Sequence, residues 1–204
     1  FDCTSFTTFS ESEGLSNNTV LCMRTDGCGN IWFGTDGGGA CKFDGQFFKY
    51  YTRKQGLWND YIKTIFEDKD GNIWFGTDGH GLFWSSKTSL CGRQVEFSKI
   101  TEKDGLSNNI VTSIFEDDKN NLWVATENGL NYIVKTTQKV LPEDSKDSIE
   151  IHSYQIQVYT TSSGLKANNF FQNSVLLDSK KHAWWGNGKA LTKLDLNTFK
   201  LSSD

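Results

Sequence analysis

The spacing of apolar and polar residues predicts short β-strands along the chain. Residues 61–66 alternate between apolar and polar side chains, as in a strand with one buried face. The polar segment that follows ends in Asp70-Gly71-Asn72, and Asp-Gly favours a hairpin because glycine tolerates a positive φ. Further strands are predicted at 73–77, 82–84 and 95–100. This part of the chain therefore predicts one sheet of four antiparallel strands.

The same succession of strands and turns occurs four times. Each copy opens with Gly-Leu, at Gly14, Gly56, Gly105 and Gly164. Trp32, Trp74 and Trp123 lie at the same distance from their opening glycine, and Trp184 lies two residues further along. An internal period of roughly 40–50 residues in an all-β chain is typical of a β-propeller. The sequence predicts an all-β fold with about four blades, each made of four antiparallel strands.

The Gly-Leu marks also divide the chain, which we interpret as one propeller segment. The predicted blades span 14–55, 56–104, 105–163 and 164–204, the last of them degenerate. Residues 1–13 are expected to supply the last strand of a preceding or closing blade, because residues 6–9 precede Gly14 as residues 49–52 precede Gly56. This strand could close a four-bladed ring. Propellers of this repeat length usually have more blades, which favours a piece of a larger ring in a longer protein.

The repeated tryptophan is expected to pack between blades. A flat indole on the second strand fills the wedge between neighbouring sheets, which predicts core positions for Trp32, Trp74, Trp123 and Trp184. Gly34, Gly76 and Gly186 follow on the same strands and predict a close backbone approach there. In the third copy this position is Ala125, the smallest residue that can replace glycine.

The third blade carries an additional polar segment. Residues 136–150 are polar and charged and include the only proline, Pro142. This composition predicts an exposed loop between the third and fourth strands of that blade, mobile or in contact with a neighbour.

Composition excludes several classes of function. Acidic residues outnumber basic ones, 25 to 21, and the net charge of −4 leaves no basic stripe for nucleic acid. Apolar runs are too short to span a membrane. The five cysteines are an odd number without Cys-x-x-Cys spacing, so free cysteines acting as small apolar residues are expected. Residues 68–72 lack the ligands of a calcium loop, and no metal or other cofactor is predicted.

The first three copies resemble the two-component regulator propeller repeat. Its pattern is a Gly-Leu-Ser/Pro-Asn-Asn opening, an Ile-x-Glu-Asp-x-x-Gly-Asn turn and a Trp-Phe-Gly-Thr strand. Residues 65–81 and 109–123 match this pattern closely. The first copy departs from it at residues 22–25. The fourth departs most, at 168–171 and 183–188, in a form that resembles the final blade before a following domain.

The resemblance implies the periplasmic sensor of a hybrid histidine kinase, of the kind found in gut Bacteroidetes that sense oligosaccharides from glycan breakdown. Such sensors typically contain two seven-bladed propellers, an immunoglobulin-like domain, a membrane helix and cytoplasmic kinase and regulator domains. These blades would then belong to a seven-bladed propeller. The chain contains no kinase histidine motif, so the segment itself is not expected to be an enzyme. Relay of the signal to transcription regulation would belong to the parent protein.

A ligand site is expected where loops gather at one end of the blades. We call the loop entering each blade its lead-in loop and the loop between its second and third strands its return loop; both emerge on one face of a propeller. Amides hydrogen-bond pairs of hydroxyls, and an indole stacks on a pyranose. Trp58 is the leading candidate because Ser16 and Ser107 occupy its position in other copies. The candidate ligand-binding residues are Asn17, Asn18, Trp58, Asn59, Asp60, Asp78, His80, Asn108 and Asn109.

Three functional classes stay open at this point. The first is a ligand-sensing module whose partners are an oligosaccharide, the remaining blades and the downstream domains. The second is an interaction or dimerisation module, with a second copy as its partner. The third is a propeller lyase or hydrolase, against which the three scattered histidines and the lack of a repeated acid–base cluster weigh.

Overall fold

The computed structural model describes residues 6–91, 95–140 and 149–201. Within these ranges the chain forms fifteen β-strands, four short 3-10 turns and one helix of five residues. The described part is therefore all-β, as the sequence predicts.

Four antiparallel sheets follow one another along the chain, and we call them blades 1 to 4. Blade 1 contains β1 (Val20–Thr25), β2 (Ile31–Thr35), β3 (Ala40–Phe43) and β4 (Phe48–Tyr51). Blade 2 contains β5 (Ile62–Glu67), β6 (Ile73–Thr77), β7 (Leu82–Ser85), the helix α1 (Lys87–Cys91) and β8 (Ser98–Ile100). Blade 3 contains β9 (Val111–Glu116), β10 (Leu122–Thr126), β11 (Gly129–Val140) and β12 (Ile149–Tyr159). Blade 4 contains β13 (Phe170–Leu177), β14 (His182–Asn187) and β15 (Leu191–Asp195).

The blades pack side by side through their first strands. β1 contacts β5, β5 contacts β9, and β9 contacts β13. Apolar clusters fill the three interfaces, and each includes one aromatic residue at the repeated tryptophan position. Trp32 shares its cluster with Phe75, Trp74 with Val124, and Trp123 with Trp185. This stacking of sheets confirms the propeller fold.

Each Gly-Leu mark ends a 3-10 turn that leads into a blade. The turns are Glu11–Glu13, Arg53–Gln55, Glu102–Asp104 and Thr161–Ser163. A serine or threonine caps every turn in a reciprocal capping box. The glycine that follows adopts φ values of 92° to 105°, a region where a side chain would be strained. The next residue is a leucine, which is buried in the first three copies.

A hydrogen bond from the indole to an aspartate fixes the repeated tryptophan in three blades. The pairs are Trp32–Asp26 (2.9 Å), Trp74–Asp68 (2.8 Å) and Trp184–Asp178 (3.0 Å). Burial opposes ionisation of Asp26, but hydrogen bonds from Asn30 and Trp32 outweigh it and lower the pKa of this carboxyl. Blade 3 lacks the bond, and the buried Nε1 of Trp123 has no hydrogen-bond partner among the residues that the structure describes.

The prediction that Trp184 is a core residue is wrong. Trp184 is only partly buried, whereas Trp185 is fully buried and contacts Trp123 at a ring-centroid distance of 6.0 Å. Successive residues of a strand face opposite sides of the sheet. Trp185 therefore faces blade 3, and Trp184 faces the other side of blade 4, which no further described sheet covers.

The additional segment of blade 3 is a strand extension where the structure describes it. β11 and β12 pair continuously from Leu130 with Tyr159 to Val140 with Ile149. The prediction of an exposed loop over residues 136–150 is therefore wrong at both ends of that range. Its middle, including Pro142, lies outside the described residues.

Two other predicted strands differ from the structure. Residues 6–9 form no strand; instead Phe9 packs on Phe43 and Phe48, at centroid distances of 5.4 and 5.8 Å. Residues 1–5 lie outside the described range. The strand predicted at 95–100 is reduced to β8, because residues 95–97 form no ladder with β7. The strand predicted within residues 1–13 therefore stays a prediction for residues 1–5 alone. The predicted boundaries of the four blades also stay predictions.

The three cysteines with described side chains, Cys22, Cys28 and Cys41, are free. Cys41 is buried and Cys22 partly buried, which fits small apolar residues in the core. Burial raises the pKa of the Cys22 thiol to about 12. Cys28 is exposed, and the side chains of Cys3 and Cys91 lie outside the described residues.

Gly34→Ala is expected to destabilise the protein by about 1–3 kcal/mol. A Cβ at this position would lie 2.7 Å from the carbonyl oxygen of Ile62, which belongs to the backbone of blade 2. Gly186→Ala is the control, because the nearest atoms that a Cβ there would meet belong to the side chains of Ser174, at 3.3 Å, and Phe171, at 3.8 Å, and not to the backbone. Its expected cost is below about 1 kcal/mol. Urea denaturation measures both free energies of unfolding, and equal losses would contradict the close approach.

Candidate functional site

The lead-in and return loops meet at one end of the four blades. Return loops donate backbone hydrogen bonds to the lead-in loop of the next blade. These bonds join Gly39 N to Asp60 O, Gly81 N to Asn109 O and Gly129 N to Asn168 O, each at 2.8 Å. One continuous loop surface results, and we call it the rim. The rim contains all nine candidate ligand-binding residues.

Four of the predicted asparagines use their side-chain oxygens within the rim. Asn17 and Asn108 accept hydrogen bonds from the backbone two residues further on, at 2.7 and 2.8 Å. Asn18 and Asn109 accept from the first residue of the preceding 3-10 turn, at 2.9 and 3.0 Å. Among the described residues, no hydrogen bond uses the amide nitrogens of these four side chains. The side-chain oxygens of these four asparagines therefore shape the loops, while their amide donors are not used within the described residues.

Asn59 is buried, with an exposed fraction of only 2%. Its Nδ2 contacts the Asp78 carbonyl oxygen at 2.7 Å and His80 Nδ1 at 2.9 Å. Its Oδ1 accepts from the Tyr61 backbone at 2.7 Å. The amide is fully used inside the protein, so the structure places Asn59 as a residue that positions His80. The donation from Asn59 assigns a lone pair to His80 Nδ1 and leaves Nε2 to carry the proton.

The side chains around Asn59 form the most chemically varied part of the rim. Trp58 is 62% exposed and packs against no other aromatic ring among the described residues. His80 and Asp78 are exposed in the return loop of the same blade, and Asn59, the residue after Trp58, contacts both of them. Asp60 pairs with Arg53 at 3.4 Å. We call Trp58, Asn59, Asp78 and His80 the blade 2 rim cluster.

Sequence reasoning missed two residues of this region. Lys63 places its ammonium 3.5 Å from the Asp78 carboxylate, and Tyr61, two residues before Lys63, is exposed. The alternation of β5 contained the signal for Lys63, because this position is polar between buried Ile62 and Thr64. The pairing of Lys63 with Asp78 itself depends on the β5–β6 register.

The sequences of blades 1 to 3 match one family profile, that of the two-component regulator propeller, at residues 14–37, 56–79 and 105–128. The chain carries two-component regulator propeller repeats. Each matched regulator propeller repeat runs from the Gly-Leu mark to the return loop, so it includes both loops that build the rim. No curated protein sequence matches the chain significantly.

Solved structures that resemble these regulator propeller repeats belong to much longer chains. One is the extracellular domain of a hybrid two-component system from B. thetaiotaomicron, with TM-score 0.74, 22% identity, and coverage of 94% of this chain and 24% of that chain. A second such domain from the same organism has TM-score 0.66 and 21% identity, covering 90% of this chain and 24% of its own. PorZ, a surface component of the type-IX secretion system of Porphyromonas gingivalis, has TM-score 0.60 and 18% identity, covering 88% and 26%.

At these identities the likeness shows the fold alone. The chain spans about a quarter of the length of the proteins it resembles. Within the described residues, none of the helices has the length and apolar character that a membrane crossing requires.

Proposed function

We propose that this chain is a non-catalytic, ligand-sensing part of a hybrid two-component histidine kinase. In this proposal it lies in the periplasm, binds an oligosaccharide from glycan breakdown and passes the signal to the rest of the parent protein, which regulates transcription. The regulator propeller repeats and the two extracellular domains of similar fold support a sensor region. The remaining blades and the downstream domains would be its partners within the parent chain.

The observation that carries the proposal is the exposed indole of Trp58 within the blade 2 rim cluster. An indole face binds the apolar face of a pyranose, and neighbouring carboxylate and imidazole groups bind its hydroxyls. Asn59 holds His80 in place, so the imidazole is oriented before a ligand arrives. The free amide donors of Asn18 and Asn109 flank this cluster on the neighbouring lead-in loops. A chain of several sugar units would fit such an extended row of groups.

Trp58→Ala is expected to weaken oligosaccharide binding by about tenfold or more. The same change is expected to alter the free energy of unfolding by less than about 0.5 kcal/mol, because the side chain is exposed. The measurement is a thermal-shift screen against oligosaccharides of dietary and host glycans, followed by calorimetric titration of those that raise the melting temperature.

Phe47→Ala is the matched control, because Phe47 is an exposed aromatic residue in the β3–β4 turn, at the end of blade 1 away from the rim. It should leave the affinity unchanged. Equal losses of affinity in both variants would contradict the role of Trp58. A cooperative protein that no oligosaccharide stabilises would contradict the sensing function for these blades.

A second candidate function, an interaction module, is favoured by apolar side chains on the two outer sheets. Met23 is exposed on blade 1, and Leu176 and Leu191 are exposed on blade 4. Such faces associate with other protein surfaces. Light scattering over a range of protein concentrations tests this alternative, which would gain support from a dimer and from the absence of sugar binding.

A further inference from the structure

The fourth copy of the repeat carries two additional residues, and the structure places them in β13. Between the paired residues Phe170 and Val175, four residues of β13 lie opposite the single residue Gly186 of β14, an excess of three residues. The first strands of blades 1 to 3 have an excess of only one residue at the same point, a bulge at Leu21, Lys63 and Thr112. We call residues 171–174 the blade 4 insert. It explains why Trp184 lies two residues further from its opening glycine than the other repeated tryptophans.

Two amide side chains of the insert bind the bulges of blades 1 and 2. Gln172 Nε2 donates to the Leu21 carbonyl oxygen at 3.1 Å and to the Lys63 carbonyl oxygen at 2.8 Å. Asn173 Nδ2 reaches the same two oxygens at 3.5 and 3.3 Å. A bulge residue is left out of the strand ladder, so its carbonyl is available to such donors. Asn173 itself adopts a φ of 53°, a left-handed conformation that asparagine tolerates.

These contacts connect blades that are not neighbours along the chain. In a repeat protein each unit normally contacts only the next one. Blades 1 to 4 follow that rule through their first strands, but β13 also contacts β5, and Gln172 reaches β1. The first strands surround the axis of a propeller, so the insert crosses this axis. The side chains of Gln172 and Asn173 are exposed, so water competes for both amides and the contact opens more easily than a buried one.

Lys63 connects this contact to the rim. Its carbonyl oxygen accepts from Gln172, and its ammonium lies 3.5 Å from the Asp78 carboxylate of the blade 2 rim cluster. The Lys63 side chain is only 19% exposed, so most of its length is held against the protein. Because a bulge disrupts the ladder locally, the backbone of Lys63 is held less firmly than that of the paired residues around it. A movement of the Lys63 side chain is therefore passed to its carbonyl group.

We propose that the blade 4 insert is a latch that the blade 2 rim cluster controls through Lys63. In the closed state Gln172 binds the carbonyls of Leu21 and Lys63 and holds blade 4 to blades 1 and 2. A ligand that binds the Asp78 carboxylate draws it away from the Lys63 ammonium, the bulge of β5 shifts, and the latch opens. The rim and the insert then bias one two-state contact, which is the physical basis of coupling between distant sites. The ligand-dependent step rests on the sensing function proposed above and gives it a route from blade 2 to blade 4.

The latch itself is tested without any ligand, by hydrogen exchange of backbone amides followed by mass spectrometry. Gln172→Ala removes the donor and leaves the core intact, because the side chain is exposed. Exchange of the β13 amides is expected to become about three to ten times faster, as the loss of two hydrogen bonds predicts. Gln46→Ala is the matched control and should leave β13 unchanged. Gln46 is exposed in the β3–β4 turn, and its side chain makes no hydrogen bond within the described ranges.

Asn173→Gly provides a second variant, because glycine accepts the left-handed conformation while the second amide is removed. The contacts of Asn173 are longer than those of Gln172, so a smaller increase in the exchange rate is expected. The latch is overturned if neither variant changes the exchange of β13, or if Gln46→Ala accelerates it as much as Gln172→Ala does.

The link to the rim is tested by Asp78→Asn, which removes the charge but keeps the size of the side chain. Exchange of the β13 amides is expected to become about twofold faster, the scale of a partly exposed ion pair. Adding Gln172→Ala to Asp78→Asn should give the same rate as Gln172→Ala alone, because the latch is then already open. Asp36→Asn is the matched control. Asp36 occupies the same position in the return loop of blade 1, and its carboxylate forms no ion pair with another described residue.

Two results would overturn the link. One is an acceleration of β13 exchange by Asp78→Asn no larger than that by Asp36→Asn. The other is multiplication of the effects of Asp78→Asn and Gln172→Ala in the double variant, which would show that they act independently. Sugar binding plays no part in these measurements, so failure of the latch and failure of the sensing function are observed separately.

Discussion

Lys135→Met is expected to lower the free energy of unfolding by about 3–5 kcal/mol. The Lys135 side chain is 13% exposed, and its partners Asp68 and Glu116 are 0% and 2% exposed. Removing the ammonium leaves two buried carboxylates close together without a counter-charge. The bridge also joins blade 2 to blade 3, so its loss weakens their interface. Urea denaturation at pH 7 measures the change.

Lys181→Met is the matched control. Lys181 pairs with Asp118 at 2.6 Å, but both side chains are more than half exposed. Exposed pairs contribute little, so a change below about 1 kcal/mol is expected. Similar losses in the two variants would contradict the importance of burial. Adding Asp68→Asn and Glu116→Gln to Lys135→Met should recover part of the loss, because no buried charge then remains unpaired.

The pH dependence of this variant has a definite sign. In the original protein, burial opposes ionisation of Asp68, but the hydrogen bond from Trp74 and the charge of Lys135 outweigh it and lower the pKa. Asp68 therefore stabilises the fold above its unfolded pKa of about 3.9, and this contribution is lost as the pH falls through the folded pKa. Without Lys135 the carboxylate is destabilising while ionised. The stability difference between the two proteins should shrink as the pH falls toward 4, and a difference that grows would contradict this electrostatic explanation.

Trp74→Ala is expected to cost about 3–5 kcal/mol. Trp74 is 1% exposed, stacks on Trp84 and belongs to the apolar cluster between blades 2 and 3. The substitution opens a large cavity and also removes the indole hydrogen bond to Asp68. A protein of this size has a total stability of roughly 5–15 kcal/mol, so the blade interface should unfold at a much lower urea concentration.

Trp184→Ala offers a graded comparison. Trp184 makes the same bond to aspartate, but it is only partly buried on the uncovered side of blade 4. Its replacement should cost clearly less than that of Trp74. Equal losses would show that the hydrogen bond, rather than burial between blades, determines the cost.

The repeat, the strands and the core tryptophans of blades 1 to 3 could be predicted from the sequence. Their signals are local: alternation of apolar residues, Asp-Gly turns and a glycine that ends each capped 3-10 turn. The rim could be located for the same reason, because strand order alone places lead-in and return loops at one end. Binding of a ligand there stays a prediction.

The sequence did not predict which rim residues face inward. Asn59 occupies the position of Asn17 and Asn108, but it is buried because it has His80 and the Asp78 carbonyl within reach. A pattern of polar residues does not distinguish an amide that binds a ligand from one that holds a neighbouring side chain. Only the distance between the two loops of blade 2 decides this.

By itself, the sequence determined an all-β array of similar blades, because each blade forms from contacts that are close along the chain. The tertiary structure decided three things: the burial of Trp185 instead of Trp184, the extension of β11 and β12, and the contact of Trp84 with His152. Each of them depends on which residues of another blade or strand lie opposite a given residue. Trp84 and His152 are far apart along the chain and meet only because blades 2 and 3 pack together. Burial between sheets depends on that packing, and no local sequence pattern predicts it.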